Sequence, residues 1–147
     1  MTTNFQTSDP CKLNSCLFFS SSKLSRTLKK VADESFVRTG LSPSHAFILY
    51  LVSQEENMSQ KKVGELLHLS PSTMTRFVDK LLDKKLIIKS SEGKNVYLSI
   101  TQDGLLMKPI IMTAWESLNT LLNSALTEEE KLTYIQLSNK ILERLEG

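Results

Sequence analysis

The 147-residue sequence predicts a mainly α-helical protein of the α+β type. Three observations carry that prediction. Apolar residues recur at steps of three and four over most of the chain, which is the spacing of helices with one buried face. The pair Ser-Pro opens two of these segments, at Ser42-Pro43 and Ser70-Pro71. A serine oxygen accepts from the free amides of a first helical turn, and proline loses nothing at that position. Alternating, β-branched residues occupy Leu86 to Ile100, interrupted by Glu92-Gly93-Lys94-Asn95, which is turn chemistry. A small β-hairpin is therefore expected between helices.

Hydrophobic residues make up 40% of the chain and charged residues 23%, values of a globular domain large enough to bury a core. No apolar run reaches membrane-spanning length and no signal-peptide pattern opens the chain, so a cytoplasmic location without a membrane partner is expected. Cys11 and Cys16 are too few for a disulfide framework. There is no glycine-rich phosphate loop and no paired-carboxylate cleft, and His45 and His68 stand without acid–base partners. The chain is accordingly not expected to be an enzyme, and neither a cofactor nor a metal is called for. The net charge of +2 hides an asymmetry. Between Ser59 and Asn95 eight basic side chains face four acidic ones, and from Thr101 to Gly147 four basic face seven acidic. A basic middle beside an acidic C-terminal part suits a module facing a polyanion.

In chain order, a first helix is predicted from Lys12 to about Arg38. Leu13, Leu17, Leu24, Leu28 and Val31 form its stripe, widened by Phe18, Ala32 and Phe36, with Lys23, Arg26, Lys29 and Lys30 opposite. Gly40 supplies a stop. The second helix opens at Ser42-Pro43 and runs through His45 to Val52, apolar nearly all round and so central and buried. After a polar break from Gln54 to Met58, Ser59 caps a short third helix from Gln60 to Leu67. Val63, Leu66 and Leu67 are its expected buried side, and Lys61 and Lys62 lie at its exposed start. His68-Leu69 turns the chain into a fourth helix capped by Ser70. Met74, Phe77, Val78, Leu81 and Leu82 define its buried face; Ser72, Arg76, Asp79 and Asp83 point away, flanked by Thr73, Thr75 and Lys80. Short helix, brief turn and capped second helix is helix-turn-helix spacing, and the hairpin directly behind it is a wing. Thr101 opens a helix from about Gln102 to Ser124. Its seam is Met107, Ile111, Ala114, Leu118, Leu121 and Ala125, and Pro109 is expected to bend it. Thr127-Glu128-Glu129-Glu130 is a capping box for a last helix carrying Leu132, Ile135, Leu142 and Leu145.

This order of elements resembles the MarR family of bacterial transcription regulators over nearly the whole chain. The residues that carry the resemblance are LSPSTMTRFVDKLLDKKLI (Leu69 to Ile87), the strand-to-helix join from Leu98 to Gly104, and Pro109. The resemblance implies a sequence-specific DNA-binding regulator, a dimeric repressor released by a small ligand. Residues 42–100 would form the winged-helix lobe, with the helix-turn-helix at 59–85 and the wing at 86–100. Residues 11–39 and 101–147 would form a helical dimerisation region. The implied partners are double-stranded DNA with a pseudo-palindromic operator, a second copy of the chain, and a small phenolic or lipophilic effector.

Residue by residue, Arg76 is expected to read a base, because a guanidinium bonds guanine O6 and N7 in a bidentate way. The cap Ser70 with Ser72, Thr73 and Thr75 would meet phosphates or base edges near the helix start. Ser59, Lys61, Lys62 and Lys80 would bind phosphates, with Lys94 and Asn95 at the wing. Two departures from the family pattern matter. Lys85 stands where the family usually has glycine, and lysine is a poorer left-handed cap. The wing tip, Ser90 to Asn95, lacks the family's arginine, so the major groove is expected to carry more of the specificity. A ligand pocket would draw on His45 and Phe47, although the plainer reading is that both belong to the core. Two other functions remain open: thiol-based redox sensing through Cys16, and a winged helix that binds protein instead of DNA.

Overall fold

The structure, a computed structural model, describes residues 15–147. Helix α1 spans Leu17–Ser35 and is followed by a 3-10 turn over Val37–Thr39, which Gly40 closes. Helix α2 is Pro43–Gln54, strand β1 is Met58–Ser59, and helix α3 is Gln60–Leu66. Helix α4 follows at Pro71–Asp83, then strands β2 (Ile87–Glu92) and β3 (Asn95–Ile100). Helices α5 (Gln102–Asn123) and α6 (Glu128–Glu146) complete the chain. The mainly α, α+β expectation holds, with the hairpin where the alternation placed it. Ser42, Ser59, Ser70, Thr101 and Thr127 are all helix caps whose hydroxyl oxygens accept from first-turn amides, and Thr127 with Glu130 completes a capping box. Each such cap is worth about 1 kcal/mol.

Several details depart from expectation. The first helix begins at Leu17, not Lys12: Cys16 is its N-cap in an extended conformation, and Cys11, Lys12 and Leu13 lie outside the described residues. It ends at Ser35, because Phe36 turns inward to become fully buried core. β1 went unforeseen. Its two residues are too short to show alternation, yet Met58 pairs with Leu98 and Ser59 with Tyr97, giving an antiparallel sheet of order β1-β3-β2. Leu66 is 54% exposed, and Gly64 takes its place on the buried side of α3 because the Met74 side chain lies against it. Leu121 and Ala125, expected in the seam of α5, are exposed: its fully buried residues end at Leu118, and Leu122 is the partly buried one that packs against the core beyond it. The helix runs on through Pro109.

One core serves the lobe. Phe36, Ile48, Leu49, Val52, Val63, Met74, Val78, Leu81, Ile87, Leu98 and Ile111 are its largest fully buried side chains, drawn from the end of the first helix, α2, α3, α4, β2, β3 and α5. The wing projects from it: of β2 only Ile87 is buried. Glu92 pairs with Asn95 across a two-residue turn, and Gly93 at φ 60° supplies the positive φ that such turns need. Among the described residues no helix is long and apolar enough to cross a membrane.

The two helices of the helix-turn-helix stop in the same way. After α3, the Leu69 amide donates to the Gly64 carbonyl (2.9 Å) and the His68 amide to Glu65 (3.3 Å), with His68 left-handed at φ 53°. After α4, Leu86 donates to Leu81 (3.1 Å) and Lys85 to Leu82 (2.9 Å), with Lys85 at φ 60°. Both are Schellman closures built on a residue other than glycine. The expected weakness of Lys85 as a left-handed cap is thus present in the fold. Next to it the Thr101 amide donates to the Leu86 carbonyl (3.1 Å) and its hydroxyl to the Lys85 carbonyl (2.7 Å). Gly104 sits so close that a Cβ there would lie 2.2 Å from the Leu86 oxygen and 2.6 Å from Ile100.

Two outcomes follow for chemical denaturation at neutral pH. Lys85→Gly relieves the left-handed strain and raises stability by roughly 0.5–1 kcal/mol, net of the added freedom of the unfolded chain. Gly104→Ala forces backbone apart and lowers it by about 2–3 kcal/mol. An unchanged midpoint for the alanine variant would mean that this junction yields easily.

Candidate nucleic-acid interface

The outward face of α4 begins with hydroxyls. Ser70 Oγ accepts from the Thr73 amide (3.2 Å), donates to Thr73 Oγ1 (2.9 Å) and lies 3.3 Å from Ser72 Oγ. Thr75 Oγ1 donates to the Pro71 carbonyl (3.0 Å) and keeps its acceptor pairs. Ser70, Ser72 and Thr73 are thus brought together at the helix start, where unpaired amides attract anions. Ser70 and Ser59 act first as caps, and Ser72 and Thr75 are the freer hydroxyls.

Arg76, Lys80 and Lys84 follow at steps of four and share one side of α4. All are exposed, and among the described residues none lies within ion-pair distance of a carboxylate, Asp79 and Asp83 included. Arg76 instead lies over the Phe77 ring, with Cζ 5.4 Å from its centroid. Met74, Val78 and Leu81 hold the opposite side of the helix in the core. Lys61 is exposed at the start of α3, whereas Lys62 is held by Glu55 at 2.9 Å. Lys94 and Asn95 are exposed at the wing turn, and Lys89 is exposed on β2. Lys84 and Lys89 were not among the expected contacts. Their exposure depends on where α4 ends and on which face of the wing strand is open.

His45 and Phe47 do not meet. Two positions apart on α2, they point about 200° apart around the helix. Phe47 lies 4.9 Å from Trp115 of α5 and 6.3 Å from Phe36, while His45 lies 4.5 Å from Phe77 of α4. Each thus packs on its own side of α2 against aromatic neighbours. A hollow of ≈ 380 Å³ lies between α1 and α6, lined by Ser21, Ser25, Leu28, Lys29, Ala32 and Tyr134. Cys16 is a half-buried free cysteine at the α1 N-cap, and Cys11 lies outside the described residues. Among the described residues no group of three metal-ligating side chains gathers.

His45 is buried against α4. Burial first, then the charges of Lys80, Lys84 and Arg76, hold its imidazole below its ordinary value of 6.5. Folded His45 therefore binds a proton less readily than unfolded His45. Its contribution to stability is fully present above about pH 6.5 and is lost as pH falls through the lower folded value. Acid titration of thermal unfolding should show a falling midpoint below about pH 6.5, shallower in His45→Gln. Identical slopes for the two proteins would remove His45 from the account.

The sequence model of the MarR family matches residues 41–95, which contain α2, the helix-turn-helix and the outer strand of the wing. The chain is 25% identical over 116 residues to the HTH-type transcriptional repressor MdtR of Bacillus subtilis, covering 77% of this chain and 75% of that one. It is 27% identical over 123 residues to the HTH-type transcriptional regulator SarZ of Staphylococcus epidermidis, covering 82% and 80%. Among solved structures it is similar to the PcaV transcriptional regulator from Streptomyces coelicolor in complex with its natural ligand (TM-score 0.82, 20% identity, 92% and 97% covered). It is also similar to the S. aureus MepR–DNA complex (TM-score 0.77, 19% identity, 88% and 98% covered). Residues 41–95 thus match the MarR family model, and over the helices on either side the chain shares the fold of these solved regulators.

Proposed function

We propose that the chain is a dimeric, sequence-specific DNA-binding repressor that a small ligand releases from its operator. The observation that carries this reading is the outward face of α4: an exposed arginine and two lysines without carboxylate partners among the described residues, behind a helix start crowded with hydroxyls. Such a face offers phosphates a positive helix terminus and offers a base edge a guanidinium. A protein-binding winged helix would have little use for unpaired cations there. Residues 42–100 would be the DNA-binding lobe. Arg76 would read a base, Ser72, Thr73 and Thr75 would contact the nearby backbone or base edges, and Ser59, Lys61, Lys62, Ser70 and Lys80 would position the helices on phosphates. Lys94 and Asn95 would follow the backbone from the wing.

Helices α1, α5 and α6 support the dimer. Along α6, Leu132, Tyr134, Ile135, Leu137, Ile141 and Leu142 are exposed, and the helix contributes no residue to the buried core. An apolar helix left in water by one chain is buried by a second copy. The effector follows from kinship: the PcaV neighbour is seen with its natural ligand, and the neighbour CouR from Rhodococcus jostii is bound to p-coumaroyl-CoA. We infer a small lipophilic or phenolic effector here, a cytoplasmic location, and action by binding without catalysis.

The test is a selection from random duplex DNA, followed by fluorescence anisotropy at several salt concentrations. Wild type should select a pseudo-palindrome with half-sites roughly 34–36 Å apart, and log Kd should rise steeply with log salt. Arg76→Ala should lose roughly 1–3 kcal/mol of specific binding while its non-specific affinity changes little. Sedimentation should give a dimer. A stable monomer, or wild-type enrichment of no sequence, would defeat the reading.

A further inference from the structure

We propose that Phe77 and His45 are positioning residues for DNA recognition, forming a ring platform that aims the Arg76 guanidinium at its base. This rests on the DNA-binding reading above. A long, exposed arginine loses side-chain freedom when it is held in one pose, so a pre-set pose favours recognition. Among the described residues no carboxylate holds Arg76, and no hydrogen bond engages its guanidinium; the Phe77 ring lies beneath it. An aromatic face steadies a guanidinium while leaving all its N–H donors for a base edge, whereas a carboxylate would occupy two of them.

Phe77 is itself set by His45, whose ring centre is 4.5 Å away at a tilt of 55°. His45 is fixed in the first turn of α2: its amide donates to Ser42 Oγ (3.3 Å), and its Nδ1 lies against the same oxygen. Its Nε2 is buried without a hydrogen-bond partner. Burying that nitrogen is unfavourable, and an aliphatic residue would avoid it. A flat ring anchored at one nitrogen, however, fixes the tilt of Phe77 as a rotating aliphatic chain does not. Among the described residues the charges that act on His45 are those of Lys80 and Arg76 on α4 and Lys84 at its C-cap, with no carboxylate among them, and the Ser42 hydroxyl at the start of α2 is its polar neighbour. A proton on His45 would put a further positive charge under Arg76. Discrimination would then fall with acidity, while non-specific attraction to phosphate would not.

The experiment compares specific and non-specific Kd, at one salt concentration, for the wild-type dimer, Phe77→Leu, Phe77→Tyr and His45→Gln on the operator that wild type selects. Phe77→Leu should lower the specific-to-non-specific ratio about tenfold with its salt slope kept. Phe77→Tyr, which restores a ring, should keep the ratio. Over the pH range below about 6.5 in which NMR shows folded His45 taking up its proton, the wild-type ratio should fall, and that of His45→Gln should stay level. A folded Phe77→Leu protein that discriminates like wild type overturns the platform. So does an equal loss of specific and non-specific binding, which would report damage to the lobe and not to its aim. If Phe77→Leu fails to fold, the pH comparison decides: parallel profiles for wild type and His45→Gln overturn the proposal. If wild type selects no sequence, the DNA-binding reading fails and the platform falls with it.

Discussion

The carbonyls of Lys85 and Leu86 are where the parts of this molecule are joined. Thr101 bonds both of them, through its hydroxyl and its amide, and then uses the same hydroxyl oxygen to cap α5 by accepting from the Gly104 amide at 3.1 Å. Gly104 is needed there because any side chain would strike the Leu86 oxygen. The end of α4, the base of the wing and the start of α5 are thus fixed to one another within a few residues. A shift of α5 must move the stop of α4 or break these bonds. That gives a direct mechanical route between the helices that carry the surplus apolar surface and the helix proposed to meet DNA.

Set against this tight junction, the left-handed turns at His68 and Lys85 store strain in the same lobe. Each follows a helix of the helix-turn-helix, and each is locked by a pair of main-chain bonds. The lobe tolerates the strain because Met74, Val78 and Leu81 bury the inner face of α4 beside Ile48, Leu49 and Leu98. Apolar burial there, about 1.5–3 kcal/mol per side chain, exceeds the local penalty of about 1–2 kcal/mol for each left-handed residue. The outer face keeps Arg76, Lys80 and Lys84 exposed and, among the described residues, without carboxylate partners.

Most of the fold was legible because its signals are local. Caps, proline starts, helical periodicity and the Gly93 turn each depend on neighbours within four residues. Where expectation failed, the deciding contact was distant. β1 forms only because Met58 and Ser59 meet Leu98 and Tyr97, some forty residues on. Leu66 was read as buried from its spacing, but it is Gly64 that lets Met74 approach. That His45 packs on Phe77 of α4 and Phe47 on Trp115 of α5 likewise depends on residues some thirty and seventy positions away. The site was legible as a list of residue types on α4, but not as an arrangement, since the place of the Phe77 ring beneath Arg76 depends on its packing against His45, thirty-two residues earlier.

By itself the sequence determined the elements, their order, their caps and the basic character of the middle of the chain, because hydrogen bonding at helix ends and side-chain periodicity act over single turns. Only the tertiary structure decided which apolar faces find cover within one chain. Those of α2, α3 and α4 do, closing on a shared core with the sheet, whereas the apolar residues of α6 remain in water. The physical reason is geometric. A helix buries its face only against a surface at the right distance and angle, and α6 meets the lobe through exposed groups, Glu146 beside His68 among them, without burying a residue there.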